Sequence, residues 1–266
     1  MKPNKISQSV SYVFIGLLLL FIYAPIISLM VFSFNDSRSA VNWSGFTLDN
    51  YINIFIKDDI RQIIITTFIV AIASTVSSVV IGTLASITLA SLGRKLRNTI
   101  FSVNDLPIVN PDIVTAICLF LLFGAFHIRS EMGYLNMILA HIAFSVPYVL
   151  ISVYPKVISL DSNISEAAKD LGANNFQTLF KVILPQIKDA IIASAAIAFT
   201  MSFDDFVISW FSVGDSGLQN ISIYLYTLKR GVDPAINALT TIMIVGIAII
   251  VGFNYIKNKK KNKGVV

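Results

Sequence analysis

Four stretches of the chain run without a charged side chain for long enough to cross a bilayer. They lie between Lys5 and Asp36, Arg61 and Arg94, Glu131 and Lys156, and Asp233 and Lys257. A hydrocarbon core of about 30 Å takes roughly 20 residues of helix. Two further apolar stretches reach that length only by including carboxylates. One, from about 106 to 126, carries Asp112, and the other, from about 190 to 213, carries Asp204 and Asp205. The pattern predicts six helices, near 12–33, 63–91, 106–127, 134–154, 188–213 and 235–256. The fold class is therefore all-α, a polytopic membrane protein with one transmembrane domain over 1–266. The first apolar run exceeds the roughly 7–15-residue core of a signal peptide, and no small-residue cleavage site follows it cleanly. It is expected to stay as a helix.

Composition agrees with lipid as the solvent. Hydrophobic residues make up 55% of the chain and charged residues 13%, with a mean hydropathy of +0.76. Soluble domains carry about 25% charged residues, so there are too few polar side chains here to cover a water-exposed surface. The single cysteine, Cys118, excludes an internal disulfide. The net charge of +5 acquires meaning from its placement. With six spans, 14 of the 20 Lys and Arg residues fall on the side of the termini and 6 on the opposite side. Positive charge marks the cytoplasmic side, so both termini are expected there, in a cytoplasmic (inner) membrane. The basic tail, Lys257 to Lys263, then rests against anionic lipid and not against nucleic acid.

The cytoplasmic segment of about 155–187 reads as two short helices. Asn163 and Glu166 have the spacing of a capping box, and Gly172 suits the left-handed position that ends a helix. Asn174 or Asn175 can start a second helix carrying Phe176, Leu179, Phe180 and Ile183 at helical spacing, which Pro185 is expected to stop. From the residues alone this is either a knob for a partner protein or a helix lying on the headgroups.

A charged side chain at the centre of a span is costly and marks function by default. In one reading, Asp204 or Asp205 faces a pathway while its neighbour pairs elsewhere, since adjacent helical residues point about 100° apart. In the other, the helix breaks near Phe203 and both lie in water on the outer face. Asn110-Pro111-Asp112 reads as a helix start, with Asn110 capping and Pro111 in the first turn. Asp112 there serves either the helix dipole or a substrate. It is expected in the cytoplasmic half, at a different depth from Asp204 and Asp205. With no intramembrane Lys or Arg to neutralise them (Lys188 lies at the cytoplasmic end of its span), these carboxylates suit a cationic solute. Phe203, Phe206, Trp210 and Phe211 cluster near the outer carboxylates, Asp204 and Asp205, where cation–π contact suits an ammonium group, and Trp210 reads either as such a contact or as an interfacial anchor. His141, inside the fourth predicted span, is expected to hydrogen-bond across helices. No nucleophile–base pair, metal-ligand spacing or phosphate-binding Gly-rich loop is present, so enzymatic catalysis, metal binding and ATP binding by this chain are not expected.

The residues Glu166-Ala167-Ala168, Gly172 and Leu184-Pro185 resemble the EAA motif of binding-protein-dependent ABC importer permeases, with Val182 where the pattern has isoleucine. Asn42 to Phe46, Pro111 to Val114, Glu166 to Ala173, Ser202 to Asp205, Ile223-Tyr224 and Pro234 to Leu239 are similar to the C-type permeases of spermidine/putrescine importers. The resemblance implies a type I ABC importer (MetI-like) fold. Its coupling helix, with Glu166, Ala167, Ala168, Gly172, Leu184 and Pro185, would dock on a cytoplasmic ATPase that holds ATP and Mg. The partners it implies are a homologous B-type permease, two ATPase subunits and an extracytoplasmic polyamine-binding protein meeting residues 214–235. A related importer for another small solute, or a stand-alone secondary transporter, remains the alternative reading.

Overall fold

The computed structural model describes residues 5–37, 42–126, 133–161, 163–214, 216–227 and 233–263. In chain order its helices are α1 (Lys5–Phe32), α2 (Asp49–Ile56), α3 (Asp58–Ser91), α4 (Arg94–Asn104), α5 (Leu106–Val109) and α6 (Asp112–Ala125). They continue with α7 (Gly133–Ile158), α8 (Asn163–Asp170), α9 (Asn175–Gln177) and a π-helical stretch (Thr178–Ile183). The last are α10 (Leu184–Asp204), α11 (Val207–Val213), α12 (Ile221–Thr227) and α13 (Pro234–Lys263).

Among the described residues, four helical segments are long and apolar enough to cross a membrane: Ser11–Phe32, Asp58–Ser91, Gly133–Ile158 and Asn175–Asp204. A broken fifth combines Arg94–Val109 with Asp112–Ala125, bent by 108°. In α13 the described apolar part is Pro234–Gly246. Two predicted spans are corrected. The third does not run unbroken from 106. Asn110 and Pro111 are extended, with ψ of 145° and 140°, because the proline ring disfavours helix at the residue before it and offers no N–H. Pro111, not Asn110, occupies the capping position, and its carbonyl accepts the Val114 N–H at 2.9 Å. The predicted end at 127 lies outside the described residues. The fifth predicted span, 188–213, is broken at Asp205, whose ψ is 125°.

Pro185 likewise does not stop the second knob helix. It lies in the first turn of α10, entered through the π-helical stretch. A helix interior would lose a hydrogen bond at proline and set its ring against a carbonyl, and the wider π turn beside it relieves that crowding. The helix therefore continues from Asn175 to Asp204.

The described chain divides into two compact units. The first comprises residues 1–61 and 228–266. After α1 the chain folds into a polar turn held by Asn35, whose Oδ1 accepts the Ser44 N–H at 2.9 Å and whose Nδ2 donates to the Asn42 carbonyl at 2.9 Å. Buried Asn50 of α2 donates to the carbonyls of Ser33 and Asn35, each at 2.8 Å. Phe34 stacks on Phe46 with centroids 5.4 Å apart. Lys57 pairs with Asp233 at 2.9 Å, and Asp233 in turn caps α13 by accepting the Ala235 N–H. From Tyr12 to Ile27 the large side chains of α1 are exposed, as expected of a helix apolar on every face.

The second unit, residues 62–227, packs α3, α6, α10 and α11 around α7. Ser74, Ser78, Gly82 and Ser86 recur every fourth residue of α3 and are all buried, so one face is narrow enough for close helix approach. A Cβ on Gly82 would stand 2.6 Å from Val149 Cγ1 of α7. Ser74 donates to Ser202 of α10 at 2.9 Å. Apolar cores form around Val149, Val153, Ile187 and Ala198, and around Ala116, Ala140, Phe144 and Ile208.

Candidate functional site

Two helix breaks in the second unit open onto one cavity. The first is at Asn110–Pro111, between α5 and α6, and places Asp112 in the first turn of α6. The second is at Asp205–Phe206, between α10 and α11. A pocket of about 510 Å³ is lined by Asp112, Asp204, Asp205, Phe144, Met201, Phe206, Val207 and Tyr226. The carboxylates thus share a pocket, against the expectation that they lie at different depths. Helix α6 packs against α11 in the core of Ala116 and Ile208, which brings the start of α6 beside the second break.

The two adjacent aspartates have different environments. Asp205 is half-buried and accepts the Ser209 N–H on Oδ2 at 2.9 Å, so it caps the start of α11. Such a side chain competes with the helix for backbone donors, which explains a break where no Gly or Pro stands. Asp204 is exposed at the last turn of α10. Helix C-termini present unpaired carbonyls and the negative pole of the dipole, and α10 ends on this pocket. No Lys, Arg or His is among the lining residues, so the three carboxylates have no basic neighbour on this pocket wall.

Of the predicted aromatic cluster, Phe206 lines the carboxylate pocket, while Trp210 and Phe211 line another. Trp210 is partly exposed and lines a separate pocket of about 440 Å³ with Phe120, Phe211 and Leu218. Its ring lies 5.8 Å from Phe206. The pair beside the carboxylates is Phe206 and Tyr226, stacked with centroids 4.2 Å apart and 13° between planes. Tyr226 comes from α12, in the segment predicted only as part of an outer mouth, and no local pattern linked it to Asp204. Of that 214–235 segment, residues 215 and 228–232 lie outside the described residues.

The predicted knob is exposed. Leu171 is 90% exposed and Phe176 67%, and Phe176 and Phe180 form a ring pair 4.3 Å apart. Helix α8 ends in a Schellman motif: the N–H groups of Gly172 and Ala173 reach the carbonyls of Lys169 and Ala168 at 2.8 and 3.0 Å, with Gly172 at φ +82°. The expected Asn163–Glu166 capping box is absent from this end. Asn163 is the first helical residue, and its N–H goes to Asp161 Oδ1 at 2.9 Å. The reciprocal box occurs at the second helix, between Asn174 and Gln177 at 2.8 and 3.0 Å. Asp161 is better placed to take the first donor, which leaves Glu166 exposed. Ala168, Leu171, Gly172, Ala173, Gln177, Lys181 and Val182 line a shallow groove on the knob, and Leu184 and Pro185 continue from it into α10.

Comparisons with known proteins agree with this architecture. Residues 78–262 match the family described as "Binding-protein-dependent transport system inner membrane component". The chain is 35% identical over 245 residues to the spermidine/putrescine transport system permease protein PotC of Escherichia coli (strain K12), covering 92% of each. It is 34% identical over 238 residues to the putrescine transport system permease protein PotI of the same organism, covering 88% of this chain and 84% of PotI. The PotC homolog of Mycoplasma genitalium is 31% identical over 267 residues, covering 94% and 92%. Among solved structures, a bacterial ABC transporter involved in the import of the acidic polysaccharide alginate matches with a TM-score of 0.68 at 16% identity, over 96% of this chain and 97% of that one, which bears on the fold alone. The chain belongs to the family of binding-protein-dependent transport system inner membrane components and is a multi-pass, helical permease of the ABC importer kind.

Proposed function

We propose that this chain forms half of the translocation path of an ATP-driven importer for polyamines, spermidine or putrescine, and that the pocket of Asp112, Asp204 and Asp205 is the cation-attracting part of that path. The observation that carries the reading is the meeting of three carboxylates at two helix breaks with no basic residue on the pocket wall. Polyamines are multiply cationic with apolar methylene spacers. Carboxylates take the ammonium groups, and the stacked Phe206–Tyr226 pair offers faces to the cation and to the spacer. Broken helices lining a cavity are also how membrane proteins present polar groups at depth without exposing backbone to lipid.

In this reading the whole chain acts as one permease domain with both termini in the cytoplasm. Its partners are a homologous B-type permease, two cytoplasmic ATPases carrying ATP and Mg, and an extracytoplasmic polyamine-binding protein. The exposed groove and aromatic pair of the 163–185 knob supply the ATPase contact, and the continuous helix from Asn175 to Asp204 links that contact to the carboxylate pocket.

The test is uptake of labelled putrescine and spermidine into vesicles holding the permease pair, with and without the ATPase subunits. Uptake that needs ATP and the ATPase supports the proposal. Uptake by the permease pair alone on an ion gradient would overturn it in favour of a secondary transporter.

A further inference from the structure

Beside the Asp205 carboxylate a set of hydrogen bonds converges on one buried hydroxyl, Ser209 Oγ. This hydroxyl donates to the Asp205 carbonyl at 2.9 Å and accepts from Asn220 Nδ2 at 2.8 Å. His141 Nε2 of α7 lies 3.0 Å away. A serine hydroxyl has one proton and two lone pairs. With the proton on the Asp205 carbonyl and one lone pair on Asn220, the remaining lone pair takes a proton from His141. That assigns His141 as the Nε2–H tautomer. Asn220 is fixed in turn, since its Oδ1 accepts the Ile223 N–H at 2.8 Å and the next N–H, of Ile221, goes to Thr67 Oγ1 of α3 at 2.8 Å. The backbone N–H of the same Ser209 binds Asp205 Oδ2.

The other ring nitrogen of His141, Nδ1, is buried without a hydrogen-bond partner, and the residue is fully buried. A buried polar atom left unpaired is a cost that a leucine at this position would not incur. Stability alone therefore does not account for a histidine here, whereas a single N–H aimed at Ser209 does.

We propose that His141, Ser209 and Asn220 are positioning residues. They form a brace from α7 and the 216–227 segment that holds the α10–α11 break and so fixes how the Asp205 carboxylate faces the pocket. The inference rests on the reading of that pocket as a cation path. None of the three lines the pocket, so they act through Asp205.

The experiment compares His141→Leu, which removes the donor, with His141→Gln, whose amide nitrogen can take the place of Nε2, each in the wild-type and Asp205→Asn backgrounds. The readout is putrescine uptake per ATP hydrolysed at saturating external binding protein, with thermal stability of the purified complex measured alongside. Loss of one buried hydrogen bond predicts uptake per ATP about fivefold to tenfold lower in His141→Leu. His141→Gln should stay within about twofold of wild type. In the Asp205→Asn background, His141→Leu should cause no further fall, because residues acting through one group are non-additive. A full effect of His141→Leu on top of Asp205→Asn, failure of the glutamine to rescue, or wild-type behaviour of His141→Leu would each overturn the brace. If Asp205→Asn alone behaves as wild type, the brace has nothing to position and is also overturned. The cation path itself fails only if Asp204→Asn is silent as well.

Discussion

Replacement of Gly172 gives a graded test of the knob. The residue has φ +82°, and a Cβ built on it meets no atom within 4 Å. A side chain here therefore brings no clash, and the whole cost is backbone strain. For an ordinary L-residue in the left-handed region this is about 1–2 kcal/mol, and less for asparagine. Helix α8 has eight residues, too few to be stable alone, so the two capping hydrogen bonds at Gly172 and Ala173 carry much of its end. A loss of about 1–2 kcal/mol shifts the ordered fraction of such a segment by about 5–30-fold. The expected order is Gly172 wild type, then Asn, then Ala, with Val lowest because its branched Cβ resists positive φ. The assay is retention of the ATPase subunits on the purified permease complex, with ATP-coupled uptake in parallel and permease abundance in the membrane as a control. Abundance should not change across the series. Retention equal in Gly, Ala and Val, or an asparagine variant as poor as valine, would refute the argument that the capped knob is the ATPase contact.

Close helix approaches in the second unit give stability predictions measured by thermal unfolding in detergent. Gly82→Val forces its side chain into Val149, within 2.6 Å at Cβ, and should destabilise by about 1–3 kcal/mol through overpacking; an unchanged midpoint would mean α3 and α7 are not in contact there. Gly133→Val meets Ser216 Oγ and, within 2.8 Å, Ser216 Cβ, an atom fixed to the backbone that no side-chain rotation moves, so it too should destabilise by about 1–3 kcal/mol; an unchanged midpoint would mean that α7 does not begin against Ser216.

Much of the fold was legible because lipid imposes a coarse rule: long uncharged runs become helices. The spans at 12–33, 63–91 and 134–154 follow that rule and lie within a turn or two of the ends of α1, α3 and α7. The broken helices were harder to read for two different reasons. At Asn110-Pro111 the proline signal is present, but the predicted span begins at 106 and leaves out residues 94–105, which belong to the same broken span. At Asp205 the break depends on a side chain choosing the next helix's N–H over its own helix, and no local pattern separates that from a continuous span. The candidate site was half legible. Asp112, Asp204 and Asp205 stand out because charge within an apolar run is expensive, and Gly172 because the left-handed end of a helix favours glycine. Tyr226 does not, since an aromatic residue in a polar outer segment is ordinary until its stacking on Phe206 is seen. Trp210 is close to the aspartates along the chain, but one turn of α11 carries it to the neighbouring pocket.

The central claim is that the acidic pocket lies on the path of a cationic solute, and the most direct measurement is polyamine uptake by reconstituted complexes with Asp204→Asn and Asp205→Asn made separately. Asparagine keeps size and hydrogen-bonding oxygen, and it is itself a good cap for α11, so the substitutions remove charge with little change of shape. The account predicts that at least one of them cripples uptake while ATPase association and ATP hydrolysis persist. Wild-type uptake in both would contradict it.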